Sequence, residues 1–265
     1  MKISTIALAV CVLTPTAAMA QSADTTKPDP KTETVLSHMP KEIAACGHHD
    51  AAQEASDAAL TQNAWDLLKK HDIAALNPMR PKLEAAAAHA PNTPSVPEKC
   101  GDKVLVYSDN MMDVILAGGV AQKAAGGNVT VEKHDALPYA RLDFIIGWLY
   151  FNDGKLDTAL GWYDLGLKNN PRDPMLASEY ATSLSQLGRS ADALAFCDRF
   201  LAENDDIDGV YKAMLLRRRG YALGELGRHD EAIIAYQDSL KFDPKSELAK
   251  NEIQWNQQQK AKGGK

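Results

Sequence analysis

Three glycines, Gly154, Gly188 and Gly227, stand 34 and 39 residues apart in this 265-residue chain and carry the same surroundings. Five residues after each comes an alanine (Ala159, Ala193, Ala232), and four residues later stand Tyr163, Cys197 and Tyr236. Seven residues before each glycine is a small residue, Gly147, Ala181 or Gly220. Pro171 and Pro244 close the first and third copies. This spacing constrains the fold more than any other feature. Glycine ends a helix in a left-handed turn. Small residues let two helices approach, and the aromatic fills the gap they leave. Proline stops the second helix and opens the next unit. Each copy is then a helical hairpin that buries its apolar face only by stacking on its neighbours.

These positions resemble the tetratricopeptide repeat (TPR), a 34-residue helix–turn–helix family with small residues, an aromatic and a closing Pro in this order. The resemblance covers residues 140–246. It implies a mainly α fold, a TPR α-solenoid of three repeats at 137–173, 174–207 and 213–246, with a capping helix at 247–260. The five extra residues before the third unit fall in the polar stretch "ENDDIDGVYK", where an insertion costs little. Asp143, Ala177 and Leu216 stand where the family most often has Trp, and Asp205 replaces the closing Pro of the second unit. The capping helix is expected to turn Leu248, Ile253 and Trp255 inward.

The N-terminal half reads differently. Residues 1–20 combine Lys2, the apolar "ISTIALAVCVL" and the small-residue site "AMA", the pattern of a secretory signal peptide. Residues 21–42 are rich in Pro, Thr and Lys and read as a disordered linker. Residues 43–136 are expected to form a small α/β or helical N-terminal domain. Its helices fall in 43–75 and in "PMRPKLEAAAAHAP", "PNTPSVPEKCG" is a loop, and "KVLVYS" and "NVTVE" are its strands. The leader places the protein outside the cytoplasm, in the periplasm for a Gram-negative host. In an oxidising compartment Cys46 and Cys100, both in Gly-flanked polar contexts, are the expected disulfide, and Cys197 sits in a helical pattern as a small hydrophobe.

Chemistry is sparse. The Walker loop, GxGxxG, HExxH and GxSxG patterns are all missing, so no catalytic residue and no cofactor is predicted. His48 and His49 in "CGHHD" are adjacent, about 100° apart on a helix, and read as surface histidines rather than metal ligands. A net charge of −6 gives no electrostatic reason to expect nucleic acid, and no segment after the leader approaches the ~18 apolar residues of a membrane span.

The TPR resemblance implies a concave groove for a protein or peptide, lined by the first helix of each unit. Its candidate residues are Phe144, Trp148 and Phe151, an aromatic stripe at i, i+4 and i+7, then Thr182, then Arg217, Arg218 and Tyr221. The stripe has a second reading, in which it packs against the segment that precedes it. The carboxylate-clamp TPRs, which grip chaperone C-termini, place Lys and Asn where this chain has Phe144 and Trp148. The function expected is a non-catalytic interaction scaffold. The alternatives are a metal-binding or enzymatic N-terminal domain with accessory repeats, and an envelope assembly factor acting through homo-oligomerisation.

Overall fold

A computed structural model describes residues 43–47, 49–91, 96–109, 111–125 and 129–263. The expected leader (1–20), linker (21–42) and His48 lie outside the described residues. In chain order the N-terminal half contains β1 (Ala44–Ala45), α1 (Ala51–Lys69), α2 (Ile73–Leu76) and α3 (Arg80–Ala87). There follow β2 (Glu98–Cys100), β3 (Lys103–Tyr107), α4 (Met111–Ala125) and β4 (Thr130–His134). The C-terminal half is helical: α5 (Tyr139–Asn152), α6 (Leu156–Asn169), α7 (Pro174–Gln186), α8 (Ser190–Glu203), α9 (Gly209–Glu225), α10 (His229–Phe242) and α11 (Glu247–Gly263). Among the described residues no helix is long and apolar enough to cross a membrane.

The described residues divide into two compact units, one drawn from 43–47, 96–109, 111–125 and 129–136, the other from 49–91 and 137–263. This corrects the single N-terminal domain expected over 43–136, whose helices α1–α3 belong with the repeats. The physical reason is their apolar content. Ala64, Leu68, Leu76, Leu83 and Ala86 share one buried cluster with Tyr139, Leu142, Ile145, Ile146 and Leu149 of α5.

The sheet unit orders its strands β1-β2-β3-β4. β2 and β3 form an antiparallel hairpin that turns at Gly101 (φ 66°), and α4 carries the chain across to β4, which pairs parallel with β3. Val104, Val106, Val114, Ala117 and Ala121 form its core. β1 and β2 were not expected. They are two and three residues long, too short to show a periodic pattern, and they pair parallel as Ala44↔Glu98 and Ala45↔Lys99. Cys46 and Cys100, at their ends, form a disulfide.

In the helical unit the three hairpins α5–α6, α7–α8 and α9–α10 turn alike. Gly154, Gly188 and Gly227 have φ of 74°, 74° and 73°. The amide after each glycine donates to a carbonyl five residues back: Lys155 to Tyr150, Arg189 to Leu184 and Arg228 to Leu223, each at 2.9 Å. Each glycine amide donates to the residue three before it at 2.9–3.0 Å. This is the Schellman closure, made three times, and it satisfies carbonyls that the helix end would otherwise leave open. The first helices begin on their own signals. The Asp173 carboxylate accepts from the amides of Met175 and Leu176 at the start of α7, and that of Asp208 accepts from Val210 at the start of α9.

Between α5 and α6 the fit is tight because Gly147 has no side chain, and Tyr163, fully buried, lies against it. Gly220 and Tyr236 repeat the arrangement between α9 and α10. In the second hairpin Cys197 replaces the aromatic, and Phe196, one residue earlier, packs at a tilt against Tyr180 with ring centroids 4.7 Å apart. The missing proline after α8 is compensated by polar bracing. Buried Asn204 donates to the Phe200 carbonyl at 2.9 Å and accepts from Arg172 at 3.2 Å.

The last helix corrects an expectation. It runs to Gly263 and buries Ala249 and Asn256, leaving Leu248 and Trp255 exposed at 55% and 43%. The polar Asn256 fits inside because its amide donates to the Glu252 carbonyl at 2.8 Å and its Oδ1 lies 2.9 Å from Nδ1 of His229.

Candidate functional site

The aromatic stripe on α5 is not a free surface. Phe144 is only 8% exposed and sits edge-on to Trp65 of α1, centroids 5.7 Å apart, with Tyr163 on another side at 6.2 Å. Trp148 and Phe151 are half-buried and pack against the same cluster. Polar contacts hold the covering helices in place. The Tyr150 hydroxyl donates to Glu84 at 2.6 Å, Arg80 pairs with Asp153 at 2.7 Å and lies over the Tyr150 ring, and the Tyr139 hydroxyl donates to Asp57 at 3.2 Å. The first hairpin is therefore occupied by its own N-terminal helices. The second reading of the stripe describes it better than the groove reading does.

The cationic end is also engaged internally. Arg217 pairs with Asp243 at 3.0 Å. Arg218 donates through Nε to the Ser178 hydroxyl at 3.0 Å and lies 3.8 Å from Glu179. Burial raises the Glu179 carboxyl above its ordinary range, and the Arg218 charge opposes that rise. Arg219, the third arginine of "LRRRG", pairs with Asp198 at 2.6 Å. Thr182 is half-buried and its hydroxyl donates to the Ser178 carbonyl at 2.7 Å, a contact within its own helix. These residues tie α7, α8, α9 and the end of α10 together rather than present charge to a ligand.

Tyr221 is the one predicted groove residue that stands open, at 42% exposure. It lines a small half-open pocket of about 110 Å³ with Gly224 and Glu225 of α9, Tyr236 of α10, and Glu252, Trp255 and Asn256 of α11. Gly224 is what allows α11 so close: a Cβ there would stand 3.2 Å from Asn256 Oδ1 and 3.7 Å from the Trp255 ring. The indole meets His229 edge-on at 5.9 Å. Sequence reading missed Glu225, Glu252 and Trp255 as site residues, because it assigned Trp255 to the buried side of the last helix. The i, i+4, i+7 spacing of Ala249, Ile253 and Asn256 is the signal that marks the other side as buried.

Other chemistry-bearing groups are structural. Cys197 is free but buried, and burial pushes its thiol up to about 12, so it is held as a neutral, inert group. His49 Nδ1 lies 2.7 Å from Glu54. Among the described residues one trio of ligand-type groups converges, Cys46, Glu98 and Cys100, and its two sulfurs are joined to each other.

A model described as the tetratricopeptide repeat matches residues 218–246, most of the third hairpin. The three hairpins share the helix–turn–helix repeat architecture that this model describes. A curated relative from Homo sapiens, RNA polymerase II-associated protein 3, is 31% identical over 104 residues, 39% of this chain and 15% of that protein. Small glutamine-rich tetratricopeptide repeat-containing protein 2 from Mycosarcoma maydis is 28% identical over 101 residues, 38% of this chain and 27% of that one. The chain thus spans about a quarter or less of the length of these relatives, both of them eukaryotic. A solved structure titled as the first TPR of Spaghetti (RPAP3) bound to the HSP90 peptide SRMEEVD shares 29% identity, with TM-score 0.42, over 46% of this chain and 93% of that one. The first TPR domain of human RPAP3 gives 28% and 0.43 over 46% and 93%.

Proposed function

We propose that this chain is a non-catalytic interaction scaffold that binds a peptide or partner protein along the second and third TPR units and the capping helix. The observation that carries the reading is the open pair Tyr221 and Trp255, on either side of a pocket between α9 and α11. Rigid aromatic faces at the rim of a preformed cleft are where binding energy concentrates. The aromatic stripe of the first unit offers no docking surface, because α1 and α3 pack on it. An acidic C-terminal peptide such as SRMEEVD is a poor match to this groove. Phe144 and Trp148 occupy the clamp's Lys and Asn positions, and Arg218 is spent on Ser178 and Glu179. Selection of random twelve-residue peptides displayed on phage against the full chain tests the reading. Selected peptides should bind Tyr221→Ala and Trp255→Ala about tenfold or more weakly, the loss of one anchoring side chain. Failure to enrich any sequence, or peptides indifferent to both variants, would contradict it.

We further propose that the protein is exported and, in a Gram-negative host, periplasmic. The leader pattern of residues 1–20 supports this, as does a Cys46–Cys100 pair that an oxidising compartment would keep closed. Mass spectrometry of the protein from its native host should find a mature chain starting at Gln21. An intact Met1 on the cytosolic protein would contradict the proposal.

A further inference from the structure

We infer that the pocket between α9 and α11 takes a basic side chain, lysine or arginine, from an extended partner peptide. This rests on the scaffold reading and adds the chemistry of one contact to it. Two carboxylates, Glu225 and Glu252, enter the same space as the rings of Tyr221 and Trp255, above a floor made by Gly224 and Tyr236. Burial raises the Glu252 carboxyl above its ordinary range, a long hydrogen bond of 3.5 Å donated by Tyr236 works against the rise, and the like charge of Glu225 adds to it. The Tyr221 hydroxyl feels both carboxylates. Among the described residues neither glutamate has an ion-pair partner, whereas Arg217, Arg218 and Arg219 next to the pocket all do.

The surface therefore presents two uncompensated negative charges beside two aromatic faces. A cation gains from both, through charge-assisted hydrogen bonds to the carboxylates and through attraction to the ring faces. An acidic side chain would be repelled. An apolar one would remove the Glu252 carboxylate further from water without replacing its hydration. The pocket is also preorganised, since Asn256 is fixed on both sides, by His229 and by its own helix, and the Trp255 ring rests against His229.

The experiment titrates full-length ¹⁵N-labelled protein with acetyl-Gly-Ser-Lys-Ser-Gly-amide, its Arg and Glu counterparts, and follows the Trp255 indole signal. The Lys and Arg peptides should shift it and the Glu peptide should not. Glu225→Gln with Glu252→Gln should weaken the Lys peptide about tenfold, the share of a charge-assisted contact, with unchanged thermal unfolding. Trp255→Ala, at an exposed position and followed instead through the backbone amides of Gly224 and Glu225, should weaken it similarly. Equal binding of the Glu peptide, or a glutamine variant that binds as the wild type does, would overturn the inference. So would self-association abolished by Trp255→Ala with no response to the Lys peptide, which would assign the face to a second copy. Phage-selected peptides that require Tyr221 but contain no Lys or Arg would overturn it too, and would leave the scaffold reading standing.

Discussion

The ring of Tyr163 fills the place of a side chain on Gly147: a Cβ at that glycine would fall 2.5 Å from the ring's Cε1. Gly147→Ala should therefore lower stability by about 1–3 kcal/mol through overpacking, although alanine is the better helix former. Gly220→Ala, where the distance to Tyr236 is 2.9 Å, should behave alike and more mildly. Gly161, in α6 with nothing within 4 Å, is the control, and Ala there should stabilise by about 0.5–1 kcal/mol. Urea unfolding followed by helical circular dichroism compares the three. A neutral Gly147→Ala would mean that the two helices of the first unit are not in close contact.

Phe144 and Tyr221 were expected to share a role, and the structure separates them. Phe144→Ala should cost about 3–5 kcal/mol of stability, as for a large aromatic removed from a core, and leave affinity per folded molecule unchanged. Tyr221→Ala should show the reverse, a stability change within about 0.5 kcal/mol and weaker peptide binding. Thermal unfolding and fluorescence anisotropy on the same samples distinguish the two outcomes.

Asp143 stands where the family most often has Trp, and it is buried, with its carboxylate accepting from Asn169 Nδ2 at 2.6 Å. Burial pushes its carboxyl up to about 7, and the Asn169 hydrogen bond works against that rise. The group is raised above its unfolded value of 3.8, so its contribution is fully present below pH ~4, falls as pH rises and is lost above ~7. Asp143→Asn removes this dependence. It should match the wild type at pH 4 and exceed it at pH 8 by on the order of 1–3 kcal/mol. Denaturant unfolding of both proteins at the two pH values provides the check.

The disulfide closes a loop of sequence separation 54 that contains α1–α3. Cys46→Ser with Cys100→Ser should lower the stability of the sheet unit by about 4 kcal/mol on the chain-entropy model. Amide exchange of Val104 to Val106 should accelerate accordingly, while exchange at Leu223 and Tyr236 stays as it was. Equal acceleration in both regions would show that the two units unfold as one.

The repeats were legible because their residues are forced. A left-handed turn calls for Gly154, Gly188 and Gly227, and close helix crossing calls for Gly147 and Gly220, so the spacing shows directly in the sequence. Cys46 and Cys100 were legible by elimination, being the two cysteines outside helical patterns. The assignment of α1–α3 to the array was not legible, because an amphipathic helix shows which face it buries and not what it is buried against. Trp255 misled for a related reason. Large apolar residues are ordinarily taken as the buried side, yet here Ala249 and a hydrogen-bonded Asn256 fit the narrow space over α10 better. The engagement of Arg217 and Arg218 with Asp243, Ser178 and Glu179 depends on partners 26 to 40 residues away, which local spacing cannot reveal.

The central claim, that the face of α9 and α11 is where this scaffold meets its partner, is tested most directly by photo-cross-linking. Benzoylphenylalanine placed singly at Tyr221, Trp255, Leu165 and Ile234 puts the probe at four exposed apolar positions, two on the proposed face and two on the second helices of repeats. A phage-selected peptide should cross-link at positions 221 and 255 and not at 165 or 234. Cross-links concentrated at 165 or 234, with none at 221 and 255, would contradict the account.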